Sequence, residues 1–182
     1  SHQLHHFKIM KRKNIMISGM PGVGKTSLLK AILSRLSLSA GGFISEEIRE
    51  GRERVGFSLK TLDGKEGILA HKNIPTPHRF GKYYINLEDL EKIAVQSIDE
   101  AISNLELIVI DEIGKMELLS PLFREAVLRA LDCPKPLIAT LHRGDDPFLK
   151  SIREREDTVV FWLTQQNRER ILGKILSLLS ER

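Results

Sequence analysis

Eight consecutive residues carry most of the chemistry legible in this chain. Gly19-Met20-Pro21-Gly22-Val23-Gly24-Lys25-Thr26 fits the pattern G-x-x-x-x-G-K-[ST]. Glycines let a backbone wrap an anion with its N–H groups pointing inward. A helix starting at the end of such a loop adds the positive pole of its dipole. Lys25 would reach the β- and γ-phosphates of a nucleotide, and the Thr26 hydroxyl would ligate Mg²⁺. The competing reading is a glycine-rich turn that binds nothing.

A second segment supplies acid. Leu107-Ile108-Val109-Ile110 is a continuous apolar run ending in Asp111-Glu112. Asp111 would hold the Mg²⁺ shell, and Glu112 would orient or deprotonate an attacking water. Alone, an apolar run closed by two carboxylates is an ordinary strand ending; beside the glycine loop it reads as half of a metal site. A carboxylate next to a metal ligand suits water activation, hence hydrolysis. Ile113, Gly114, Lys115, Met116 and Glu117 follow on the side where ligands collect in open α/β sheets. Ile113 and Gly114 count as candidate nucleotide contacts, and Lys115 as a candidate phosphate partner.

These segments need positioning. Ile15–Ile17 reads as a buried strand leading into Gly19, and Thr26–Leu36 as a helix with Leu28, Leu29, Ile32, Leu33 and Leu36 on one face. Ser37–Gly42 reads as a loop. Phe43–Ile48 and Val55–Leu62 read as a hairpin turning near Gly51, with Asp63-Gly64 turning into Gly67–Ala70. Ile74–Arg79, with Pro75 and Pro77, reads as a loop. Asn86 caps an expected helix to about Ser103, and Pro121 opens one to about Leu131. Leu137–Leu141 and Val159–Leu163 read as further strands, with Phe161 and Trp162 in the core. Thr164 is an expected cap for a last helix striped by Ile171, Leu172, Ile175, Leu176 and Leu179. Strands alternating with helices predict a three-layer α/β fold: a mostly parallel, mixed sheet with an antiparallel patch around residues 43–70.

The chain has 182 residues, 41% hydrophobic and 29% charged, a balance that excludes a disordered chain. Lysines and arginines exceed acids by 28 − 24 = +4, spread along the sequence, so no nucleic-acid partner is expected. No apolar run is long enough for a membrane span. Cys133 is the only cysteine, which fits a reducing cytoplasm. Residues 13–182 are expected to form one domain. Residues 1–12, with His2, His5 and His6, read as a flexible N-terminal tail or an expression remnant rather than a metal site. The oligomeric state stays open, with a monomer favoured.

With those residues in place, the chain resembles the small P-loop nucleoside triphosphatases of thermophilic bacteria and archaea, whose human relative is called cancer-related nucleoside triphosphatase. Gly19–Thr26, Phe43-Ile44-Ser45-Glu46-Glu47-Ile48-Arg49, Gly81-Lys82-Tyr83, Asp111–Leu118 and Asn167-Arg168 carry the likeness, from about Lys13 to Leu179. Ser45 departs from a threonine in the family pattern. Thr140-Leu141-His142-Arg143 departs from a more apolar stretch in some members. The resemblance implies a P-loop fold with a mixed sheet. It also implies Mg²⁺-dependent hydrolysis of ATP, GTP, CTP and UTP, with loose base preference, to diphosphate and phosphate.

Phosphoryl transfer also needs cationic charge on the transition state. Arg143, then Arg49, then Arg168 rank as candidates, with Arg79 behind; each could equally be a surface ion pair. Arg143 therefore joins Lys25 and Glu112 as the expected catalytic group. Glu46 and Glu47 are adjacent on a strand, so they point to opposite faces and cannot both enter one site. Tyr83, Tyr84, Phe80 and His78 could stack on a base or simply pack. The runner-up function is a nucleoside or nucleotide kinase, with Arg49, Arg52, Arg54 and Arg79 lining an acceptor pocket. A third is a nucleotide-switched module that binds RNA or a partner.

Overall fold

The computed structural model describes residues 12–180. The three N-terminal histidines lie outside the described residues. Nine strands form one sheet in the order β5-β6-β4-β3-β2-β7-β8-β1-β9. The strands are β1 (Asn14–Gly19), β2 (Ala40–Glu50), β3 (Glu53–Thr61), β4 (Glu66–His71), β5 (Arg79–Phe80), β6 (Tyr83–Ile85), β7 (Leu107–Ile113), β8 (Leu137–Leu141) and β9 (Thr158–Leu163). β2, β7, β8, β1 and β9 run parallel to one another. β3, β4, β6 and β5 extend that sheet antiparallel. The expected antiparallel patch is thus the outer half of a single mixed sheet.

The parallel strands are apolar on both sides because helices cover both faces. Ile15 and Ile17 pack with Val109 and Ile138 against α1 (Lys25–Ser34) and α6 (Arg168–Ser180). Met16, Ile108, Ile110 and Ala139 point the other way. That face is covered by α2 (Leu87–Asp89), which continues through a π-helical stretch (Leu90–Val95) into α3 (Gln96–Asn104). α4 (Pro121–Asp132) covers the rest. Asn86 caps as expected, its side chain accepting from the Asp89 amide, and Ser120 caps α4 ahead of Pro121 by accepting from the Phe123 amide.

The strand β2 begins at Ala40, inside the stretch read as a loop. Gly42 has φ 114° and pairs with Val109; a Cβ there would fall 1.8 Å from the Val109 carbonyl oxygen. Gly42 is what lets β2 lie against β7, and Gly41 what lets it pass Ala101 and Leu105 at the end of α3. Two short elements were not foreseen. The β5–β6 hairpin turns at Gly81, φ 59°, and α5 (Pro147–Arg153) is capped by Asp146. Trp162 is a correction: it is 47% exposed rather than core, because β9 is an edge strand and its outer face is only partly covered.

Candidate functional site

The glycine loop spans the gap from β1 to α1. Gly22 (φ 80°) and Gly24 (φ 103°) take the left-handed conformation that bends the loop, and the Val23 amide donates to the Met20 carbonyl at 3.1 Å. Met20 and Pro21 form its exposed rim. Gly19 pairs with Leu163, and a Cβ on it would meet the Leu163 carbonyl oxygen at 2.9 Å, so β9 backs the loop closely. The first turn of α1 holds no acidic residue of its own, so nothing within the helix offsets its positive pole. The ammonium of Lys25 curls back to the Gly19 carbonyl at 3.4 Å.

The carboxylate of Asp111 stands opposite. Its Oδ2 accepts from the Thr26 hydroxyl at 2.8 Å and from the Ser45 amide at 3.4 Å. Its Oδ1 accepts from the Thr140 hydroxyl at 2.6 Å. Burial pushes this carboxyl up from its ordinary range, while Thr140, Thr26, Ser45 and the charge of Lys25 pull against that rise. Thr140 is the residue that sequence reasoning missed as a site member. A lone hydroxyl in the fully buried strand Leu-Ile-Ala-Thr-Leu was the signal available.

Glu112 lies one residue on, partly covered. Burial raises its carboxyl, Lys25 draws it back, and Asp111 raises it again. Glu112 and Glu117 converge over Gly114: a Cβ there would meet Glu112 Oε1 at 2.6 Å and Glu117 Oε1 at 2.9 Å. Burial and the neighbouring Glu112 lift Glu117 well above the usual range. The Ile113 side chain turns into the core, and its carbonyl accepts from the His142 amide at 3.0 Å; it presents no side chain to a ligand.

Cations gather past the end of β8. Burial, then the charges of Lys115, Arg143, Lys25 and Arg153, hold the His142 imidazole below its ordinary value. Its Nδ1 accepts from the Gly144 amide at 2.9 Å. Arg153 donates to the carbonyls of His142 and Gly144. Arg143 is exposed at this mouth and forms no ion pair among the described residues.

The remaining arginines divide. Arg168 reaches the Ser27 hydroxyl at 3.2 Å, beside the glycine loop. Arg49 pairs with Glu47, and Arg79 with the ring and hydroxyl of Tyr84, both on the antiparallel half. Glu46 meets Lys30 whereas Glu47 meets Arg49 and Arg54, as opposite faces require. Tyr83 is buried, edge-on to Phe57 and accepting from Arg54, so it packs rather than waits for a base.

A family model described as NTPase matches residues 14–176. The nucleoside-triphosphatase THEP1 of Thermotoga maritima is 54% identical over 165 residues, 91% of this chain and 94% of its own. Its namesake in Methanocaldococcus jannaschii is 40% identical over 167 residues, 90% and 95%. Among solved structures, THEP1 from Aquifex aeolicus superposes with a TM-score of 0.84 at 39% identity, covering 91% of this chain and 98% of that one. A human cancer-related nucleoside triphosphatase superposes at 0.78 with 35% identity, covering 93% and 99%.

Proposed function

Because the chain belongs to the NTPase family, we propose that this nucleoside triphosphatase hydrolyses its substrates to diphosphate and phosphate with Mg²⁺, at the glycine loop and with loose base preference. The observation that carries the reading is the meeting of Thr26 and Asp111 at 2.8 Å, with Glu112 next in the chain.

The donors available suit Mg²⁺. Thr26 and Asp111 offer only hard oxygens, and among the described residues no group of three or more His, Cys, Asp or Glu could cage an ion. A cation that keeps several waters and shares phosphate oxygens fits such a sparse set. Bound there, Mg²⁺ would neutralise charge on the β- and γ-phosphates. The chain does the rest. The loop amides and Lys25 hold the phosphates. Glu112 orients water and accepts its proton, which its raised affinity for protons favours. Arg143 reaches from the β8 mouth to the charge that develops on the transferred group.

Of the four arginines that the kinase alternative would line its acceptor pocket with, Arg49 and Arg54 already have partners. Arg49 is engaged by Glu47, and Arg54 by Glu47 and Tyr83. No helix among the described residues is long and apolar enough to cross a membrane. We propose a cytoplasmic location, which a single cysteine, Cys133, fits, and leave the oligomeric state open with a monomer favoured.

The test is phosphate release from ATP, GTP and CTP with Mg²⁺, on wild type and on Glu112→Gln, alongside nucleotide affinity for both. Hydrolysis through Glu112 predicts release without any acceptor, and a variant that binds normally but turns over roughly 10²–10⁴-fold more slowly. Wild type that binds nucleotide yet releases phosphate only when an acceptor is added would overturn the hydrolase.

A further inference from the structure

Successive hydroxyls on the first turn of α1 face different partners. Thr26 faces Asp111, and Ser27 faces Arg168. Neighbouring helical residues diverge by about 100° around the axis, so these two contacts mark two sides of the loop. The Thr26 side holds Glu112 and the cations near His142, where the γ-phosphate belongs. The Ser27 side lies at the other end of the loop, toward the α-phosphate, because loop amides cradle the α- and β-phosphates while the lysine reaches the β and γ.

The guanidinium of Arg168 is held at that far end by the fold. β9 runs beside β1 to the Gly19–Leu163 pair, and the chain then turns into α6. The turn is locked from within. The Thr164 amide donates to Asn167 Oδ1 at 2.7 Å, the Asn167 amide to Thr164 Oγ1 at 3.2 Å, and the Asn167 side-chain amide to the Trp162 carbonyl at 2.8 Å. Arg168, the first residue of α6, is thereby aimed across the gap. Its Nη1 sits 3.8 Å from where a Cβ on Gly24 would stand.

Its electrostatic setting is one-sided. Among the described residues Arg168 has no carboxylate within ion-pair distance. Glu169 is an acid in the first turn of Arg168's own helix, but Arg168 leans toward the N-terminus of α1, whose first turn has no acid and where a cation is disfavoured. An anion between Arg168 and the start of α1 relieves that repulsion.

We propose that Arg168 binds the α-phosphate of the nucleotide, and that the contact is made equally by the triphosphate and by the diphosphate product. This rests on the hydrolase reading for the substrate, though the binding claim stands apart from turnover. Arg168 is then a ground-state clamp and not the group that stabilises the transition state. A contact shared by substrate and transition state lowers KM and leaves kcat alone. The same contact sets how firmly the diphosphate is retained.

The experiment measures Mg·ADP affinity by calorimetry and steady-state ATP hydrolysis for wild type, Arg168→Ala, Arg168→Lys and Ser27→Ala, with thermal unfolding as a check on folding. Loss of one charge-assisted phosphate contact predicts about tenfold weaker ADP binding and about tenfold higher KM in Arg168→Ala, with kcat held to about twofold. Inhibition by ADP should weaken in step. Arg168→Lys should recover part of the loss, and Ser27→Ala, which removes the hydroxyl that orients the guanidinium, should raise the ADP dissociation constant and KM by about two- to threefold. The two milder variants carry the test should Arg168→Ala fail to fold. ADP affinity unchanged in Arg168→Ala, or in both milder variants if it does not fold, overturns the proposal. So does a large fall in kcat with ADP binding intact, which would make Arg168 a transition-state group. Wild type that releases no phosphate would sink the hydrolase reading alone; the ADP measurements would still decide the clamp.

Discussion

The Thr140 hydroxyl donates to Oδ1 of Asp111 at 2.6 Å from the neighbouring strand, leaving Oδ2 to face Thr26. One carboxylate oxygen is thus committed to the scaffold and the other to the loop. Both residues are buried, so the bond is shielded from competing water and fixes the direction in which Asp111 presents Oδ2.

Thr140→Val keeps the shape and removes that donor. Outer-shell losses of this kind weaken metal use by about 10–100-fold, so the Mg²⁺ concentration for half-maximal hydrolysis should rise by that order. Thr140→Ser should restore most of it. A Mg²⁺ titration of activity reads both, and an unchanged midpoint in Thr140→Val would remove Thr140 from any part in the site.

Arg143→Ala should behave unlike any variant of Arg168. An arginine acting only on the transition state is worth roughly 10³–10⁵ in kcat, and at least ~10²-fold is expected here because neighbouring cations remain. ADP affinity should not move. Single-turnover rates and ADP calorimetry separate the two; weaker ADP binding with kcat intact would return the finger role to another arginine.

Glu117 makes stability depend on pH. Burial lifts its carboxyl well above the ordinary 4.5, so the folded chain keeps a proton that the unfolded chain gives up. The contribution is complete below the unfolded value and is lost as pH rises through the folded one. Glu117→Gln carries no proton to lose, so its Tm should exceed that of wild type at pH 8 and fall less between pH 5 and 8. Asp111 and Glu112 are raised by burial too, so the slope should flatten without vanishing. Parallel Tm profiles for the two proteins would show that Glu117 pays nothing for its burial.

Gly42→Ala tests the junction of β2 with β7. A Cβ 1.8 Å from the Val109 carbonyl oxygen cannot be accommodated without parting β2 from β7, and φ 114° adds backbone strain. Urea unfolding should show a loss of at least ~3 kcal/mol, the range reached only by a few mechanisms such as this. A loss under about 1 kcal/mol would mean that the strands slide apart cheaply.

Legibility in the sequence followed chemistry and periodicity. The glycine loop announced itself because its spacing serves one purpose, and Leu107–Glu112 because a long apolar run ended in charge. The parallel strands and long helices followed from patterns that burial on one or both faces imposes. What stayed hidden depended on pairing. Gly42 looked like a loop residue because only its approach to Val109 explains it. Trp162 looked like core because nothing local says that β9 has no outer neighbour. Thr140 joins the site through a contact 29 residues away in sequence; Arg168 was a candidate from the sequence, but its partner Ser27, 141 residues away, was not legible there. The short α5 had a readable start in Asp146-Pro147 but too few residues for a period.

The sheet order also sets a schedule. β1 emerges first during synthesis, yet its neighbours are β8 and β9, and Asn14 finds Leu137 only after 137 − 14 = 123 further residues. At 5–20 residues per second that wait is about 6–25 s. Meanwhile β2, β3, β4, β6 and β7 can pair among themselves as they appear. The segment that opens the glycine loop therefore spends longest as an apolar strand with both edges bare. The nascent chain can hold much of its sheet before β9 arrives to back the glycine loop.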